Sequence, residues 1–202
     1  MTRSGACALM VAASMFAGGF SGGLAAEEQS SAAQMMDDLM YGRGTVGGPF
    51  TLTDPTGKSR SDSEFRGKLM IVYFGYTYCP DVCPTDLMAI TQALDTLGPA
   101  AEGVQPIFIT VDPERDTNVL GEYIAAFHHS FVGLTGSPEE IRKVANSYKA
   151  FYAKVPDQRS GYSIDHTGVI YLMGRNGEYL GFLPPQTNPE RLTEILRTYL
   201  AR

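Results

Sequence analysis

The chain has 202 residues, with 16 Lys and Arg against 22 Asp and Glu and a formal net charge of −6 at neutral pH. At 44 % hydrophobic and 19 % charged it is too apolar for a disordered chain, and its length suits one domain of common size. The acidic balance excludes broad nucleic-acid binding, which needs a basic face, and three cysteines are too few for a disulfide-stapled scaffold.

Arg3 is the only charged side chain before Glu27. The apolar run Ala6–Ala17 and the small-residue stretch GGFSGGLAA (18–26) follow it, so residues 1–26 read as a secretory signal peptide. A cut after Ala25 puts Gly23 and Ala25 at the two small-residue positions. The rival reading is a weak membrane anchor over Ser4–Ala26, uncharged and nominally able to span roughly 30 Å but weakened by Gly18, Gly19, Gly22 and Gly23. Either reading puts the rest of the chain outside the cytoplasm, in the periplasm, soluble after cleavage or tethered to the inner membrane. Residues 27–45 read as a linker. Met35, Met36, Leu39 and Met40 share one helical face there, fit to pack on something or, through soft thioethers, to hold Cu(I).

From residue 46 strand-like and helix-like segments alternate. Phe50–Thr53 runs into Asp54-Pro55-Thr56-Gly57, a turn signature that predicts an N-terminal hairpin. The continuous apolar run Leu69–Phe74 predicts a central strand covered on both faces. Leu87, Ile90, Leu94 and Leu97 recur at helical spacing until Gly98-Pro99 stops them. Pro106–Val111 reads as a second buried strand, Thr117–Phe127 as a helix and Phe131–Leu134 as a short strand. Ser137 and Pro138 then cap and open another helix. Phe151–Val155 reads as an edge strand. Val169–Met173 and Tyr179–Leu183 form a hairpin across Arg175-Asn176-Gly177, and Pro189–Leu200 is a closing amphipathic helix. The expected domain, 46–202, is an α/β fold of thioredoxin-like arrangement: a mixed central sheet with helices on both faces and an N-terminal β-hairpin extension.

The chemistry concentrates in Tyr78-Cys79-Pro80-Asp81-Val82-Cys83-Pro84. These cysteines leave the C-terminal end of a buried strand, where open α/β sheets place their sites. Pro84 suits a first helical turn, so Cys83 sits at or just before a helix start and both sulfurs lie near its positive end, which favours thiolate. Three residues separate the pair, one more than in a thioredoxin motif. Such a loop can close a disulfide or present two thiolates to a soft ion such as Cu(I); zinc normally takes four ligands, and no second cysteine pair exists. A plain structural disulfide is the rival reading. A third ligand would be an imidazole. His128 and His129, adjacent after a helix, point in different directions. His166, in the loop before the strand at 169–173, is placed beside the cysteines, and Asp165 is a candidate to orient it or to face a docking partner.

Together YFGYTYCPDVCPTDL (73–87), VDPERDT (111–117) and DHTGVIYLMGRNGEYL (165–180) resemble the Sco/SenC family of copper proteins, over a match from about Val46 to Arg202. The resemblance implies a thioredoxin-like fold and a metallochaperone that binds Cu(I) or Cu(II). Its ligands would be Cys79, Cys83 and His166, and its target the CuA site of cytochrome c oxidase subunit II or another CuA protein. It further implies an upstream copper donor and a thiol reductant. The alternatives are a thiol-disulfide oxidoreductase acting through Cys79 and Cys83 to keep CuA cysteines reduced, and a redox or copper sensor.

Overall fold

The structure, a computed structural model, describes Leu39 and residues 45–202. The expectations for the signal segment and the linker lie outside these residues, apart from Leu39, which is helical and buried in the core, and the exposed Thr45.

The first hairpin forms as the turn signature predicts, β1 (Thr51–Thr53) pairing antiparallel with β2 (Ser59–Ser61). Asp54 makes the turn: its carboxylate accepts from the Thr56 and Lys58 N–H groups and from the Thr56 hydroxyl. The central sheet is built from β3 (Leu69–Gly75), β4 (Val104–Thr110), β5 (Val132–Leu134), β8 (Ile170–Met173) and β9 (Tyr179–Leu183), in the order β5-β4-β3-β8-β9. β3 runs parallel to β4 and antiparallel to β8, so the sheet is mixed. Every residue of β3 is buried, which accounts for its unbroken apolar run. Each such side chain contributes roughly 1.5–3 kcal/mol by leaving water.

Alternation along β3 separates the two faces. Tyr73 donates its hydroxyl to Asp86 on helix α1 (Val82–Leu97), whereas Phe74 packs on Tyr148, which caps α4 (Pro138–Ser147) beneath the opposite face. α1 packs against the closing helix α5 (Pro189–Leu200). α4 starts with the capping box that Ser137 and Glu140 provide, Pro138 at its first position. Helices on both faces of a mixed sheet, with Cys79 between β3 and α1 and Cys83 in the first turn of α1, make the fold thioredoxin-like.

Three segments differ from the sequence reading. The helix expected over Thr117–Phe127 shrinks to α3 (Leu120–Ala125), and a separate short helix that was not expected, α2 (Pro113–Asp116), precedes it. The poor helix formers Thr117, Asn118 and Val119 interrupt the path. The segment read as an edge strand, β6 (Tyr152–Asp157), is not part of the central sheet: it pairs with β7 (Gly161–His166) as a separate two-stranded hairpin. β7 escaped notice because Ile164 is its one buried residue, which leaves no apolar alternation to read. His166 therefore ends a strand, paired with Tyr152, instead of lying in a loop.

Candidate metal centre

The site forms where β3 ends and α1 begins. At Gly75 a Cβ would come within 2.9 Å of the Cys83 Sγ, and as close to the Phe108 and Tyr73 rings, so the last residue of β3 must be glycine for the sulfur to sit there. Cys83 occupies the second position of α1, Pro84 the third, and Cys83 is fully buried while Cys79 is half-buried. Asp81 stands at the N-cap without a side-chain capping bond. The Cys79 sulfur takes that role instead: it accepts the Cys83 backbone N–H at 3.5 Å, at the positive end of the helix.

His166 reaches the same point from the far hairpin. Its Nε2 stands 3.4 Å from the Cys83 Sγ, and its ring meets Tyr76 and Tyr73 edge-on at centroid distances of 5.8 and 6.3 Å. The two Sγ atoms and a His166 ring nitrogen lie within 4.8 Å of one another. Among the described residues this is the only group of three or more His, Cys, Asp or Glu side chains that could hold a metal ion. His128 and His129 are not part of it. They do not point in different directions as expected: their rings lie 4.2 Å apart, tilted by 37°, and His128 Nδ1 lies 2.7 Å from the Ser130 hydroxyl.

The two thiols are unequal. The hydrogen bond from Cys83 pulls Cys79 down to about 3 against the opposing effect of burial, with His166 and the N–H groups of Asp81 and Cys83 helping. Cys83 is pushed up, because it donates to Cys79, is buried and faces the Cys79 charge. The pair is thus one accessible thiolate and one protonated thiol, free of a disulfide. Two sulfurs and one imidazole, partly open on the Cys79 side, form a soft donor set with room for ligand exchange.

Asp165 does not orient the imidazole in this structure. It is exposed, and the buried His166 Nδ1 has no hydrogen-bond partner among the described residues. Sequence reasoning missed Asp86, fully buried one turn beyond Cys83, which accepts the Tyr73 hydroxyl at 3.0 Å and the Gln186 N–H at 2.6 Å. Burial raises its pKa, partly offset by these two bonds. An acid at an apolar helix position is the one trace it leaves in the sequence.

The SCO1/SenC family profile matches residues 40–201. The Protein SCO1 homolog 1, mitochondrial, of Arabidopsis thaliana is 41 % identical over 155 residues, which covers 76 % of this chain and 46 % of that protein. The chain thus spans less than half the length of that relative. The solved structure of Bradyrhizobium japonicum ScoI with copper bound superposes with a TM-score of 0.69 at 44 % identity, covering 77 % of this chain and 99 % of that one. Arabidopsis thaliana ScoI, also solved with copper bound, gives a TM-score of 0.72 at 40 % identity over 76 % and 97 % of the two chains. With a Cys-Cys-His group in a thioredoxin-like fold and a family match over most of its length, this chain belongs to the SCO1/SenC family.

Proposed function

We propose that this protein is a copper metallochaperone that carries Cu(I) or Cu(II) on Cys79, Cys83 and His166 and delivers it to the CuA site of cytochrome c oxidase subunit II or of another CuA protein. The observation that carries the reading is the convergence of the three donors within 4.8 Å, together with copper-bound relatives at 40 and 44 % identity. Cu(I) is satisfied by the two sulfurs once Cys83 releases its proton to solvent on binding, while Cu(II), the harder ion, draws on the imidazole. Transfer proceeds by ligand exchange at the open side, with the incoming client meeting Cys79 first. Asp165, exposed beside His166, faces that client. Copper arrives from an upstream donor, and a thiol reductant keeps the pair open. The work is extracytoplasmic, in the periplasm, after cleavage of the signal at 1–26 or from a tether there; residues 46–202 are the copper-binding domain.

A second reading has its own observation, the Cys79 thiolate beside the Cys83 thiol. In a thiol-disulfide exchange Cys79 would attack a client disulfide, forming a mixed disulfide and releasing one client thiolate. Cys83, giving up its proton, would then attack the Cys79 sulfur and release the second. Two electrons pass to the client and the Cys79–Cys83 disulfide remains. One experiment separates the readings: add one equivalent of Cu(II) to the reduced protein, then repeat with His166→Ala. Intense thiolate-to-copper bands that depend on His166, and copper transfer to an apo CuA domain, support the chaperone. Weak bands in wild type, or bands indifferent to His166, overturn it in favour of the exchange reaction.

A further inference from the structure

The segment VDPERDT has no ligand in it, yet it touches both halves of the site. Asp116 is fully buried, and its carboxylate accepts the Thr77 N–H at 2.9 Å, the Thr77 hydroxyl at 2.6 Å and the Thr110 hydroxyl at 2.6 Å. Thr77 lies two residues before Cys79, so this carboxylate pins the cysteine loop to the end of β4. Asp112, also fully buried, accepts from the Arg115 Nε with one oxygen and from the Tyr162 hydroxyl at 2.9 Å with the other. Arg115 completes the ring by donating Nη1–H to the Tyr162 carbonyl at 3.0 Å. Its guanidinium lies 3.7 Å from the centroid of the Tyr162 ring and 5.0 Å from that of Tyr78, next to Cys79. Tyr162 belongs to β7, the strand that ends at His166.

We propose that Asp112–Asp116 is a brace that sets the distance between the cysteines and the histidine, Asp116 holding the Cys79 loop through Thr77, and Asp112 with Arg115 holding the His166 hairpin through Tyr162. The need for it follows from the topology. β6 and β7 pair only with each other, so no ladder of the central sheet fixes where His166 stands. Two buried carboxylates four residues apart supply that restraint, each taking one of its donor residues from a segment that carries a ligand, Thr77 from the cysteine loop and Tyr162 from the histidine strand. These residues are positioning residues and touch no metal. Arginine is required for the hairpin arm, since a lysine cannot both stack and donate through a fork.

This inference rests on the copper reading for one of its two tests and is independent of it in the other. In the reduced, metal-free protein, proton NMR should show contacts between the His166 and Tyr76 rings; Arg115→Ala and Arg115→Lys should both lose them, and Arg159→Ala, at the exposed hairpin turn, should keep them. Tyr162→Phe, which removes one hydroxyl, is the milder variant should Arg115→Ala fold poorly, and it should weaken the same contacts. With copper, the hairpin variants should lose about 10-fold or more in Cu(II) affinity while Cu(I) affinity stays within a few-fold, as expected for supports of a ligand. Thr77→Val, on the other arm, should weaken Cu(I) and Cu(II) alike, because it loosens a thiolate. Retained ring contacts and retained Cu(II) affinity in Arg115→Ala would overturn the brace, as would equal losses of both ions in every variant. Wild-type protein whose Cu(II) spectrum ignores His166 would sink the copper reading alone, and the metal-free contacts would still decide the brace.

Discussion

Nε2 of His166 stands 3.4 Å from Sγ of Cys83 across 83 residues of sequence. One partner opens a helix beneath the central sheet; the other ends a hairpin outside it. Their meeting converts a dithiol loop into a three-donor centre, and the chemistry of that centre leads to four predictions beyond the brace.

His166→Ala separates the two oxidation states of copper. Cu(I) keeps both thiolates and should lose little affinity, while Cu(II) should lose most of its binding and its charge-transfer bands. Cys79→Ala and Cys83→Ala should each lose both ions, since one soft ligand remains. Titration with each ion, followed optically and with a competing chelator, reads the split. Unchanged Cu(II) binding in His166→Ala would remove this histidine from the ligand set.

Oxidation should abolish copper binding. The free cysteines lie close enough to join, and a Cys79–Cys83 disulfide consumes both soft donors. Protein treated with a mild thiol oxidant should hold no copper through gel filtration and should recover one equivalent after reduction. Equal retention before and after oxidation contradicts the site.

Gly75→Ala tests the seat of the buried sulfur. A methyl group at 2.9 Å from Cys83 Sγ and from two aromatic rings has to displace one of them. Overpacking of this kind costs about 1–3 kcal/mol. Urea unfolding should show that loss, and the copper spectrum should shift because Cys83 moves. A variant as stable as wild type with the same spectrum means that the sulfur does not fill this space.

The inequality of the thiols has a pH signature. Cys79, pulled down to about 3 by the Cys83 hydrogen bond, is thiolate throughout the neutral and mildly acidic range. Its alkylation by iodoacetamide should therefore be almost flat with pH, whereas an ordinary thiol near 8.5 gains about 10-fold per pH unit below that value. Cys83, pushed up and buried, should stay unmodified. Peptide mass mapping after short reaction times distinguishes them; an ordinary pH slope at Cys79 would show that the hydrogen bond from Cys83 does not form in solution.

Much of this protein was legible in its residues. The apolar run at 69–74 pointed to a strand buried on both faces, Ser137 with Pro138 to the start of a helix, and CPDVCP at the seam between strand and helix marked the two sulfurs. These are local facts, fixed by periodicity, capping chemistry and the stiffness of proline. What the sequence left unread is non-local. Hairpin β6–β7 has almost no apolar alternation, so nothing in residues 161–166 announces a strand, and its position depends on Arg115, Asp112 and Tyr162 meeting from segments some 50 residues apart. Nothing local in the sequence says that Asp86 and Asp116 find partners; only packing brings Tyr73 and Gln186 to the first carboxylate and Thr77 and Thr110 to the second. The sequence by itself determined the donor types and the element that presents the cysteines. The tertiary structure decided the spacing of sulfur and imidazole, because that distance is set by buried polar contacts between segments remote along the chain, and no local pattern encodes them.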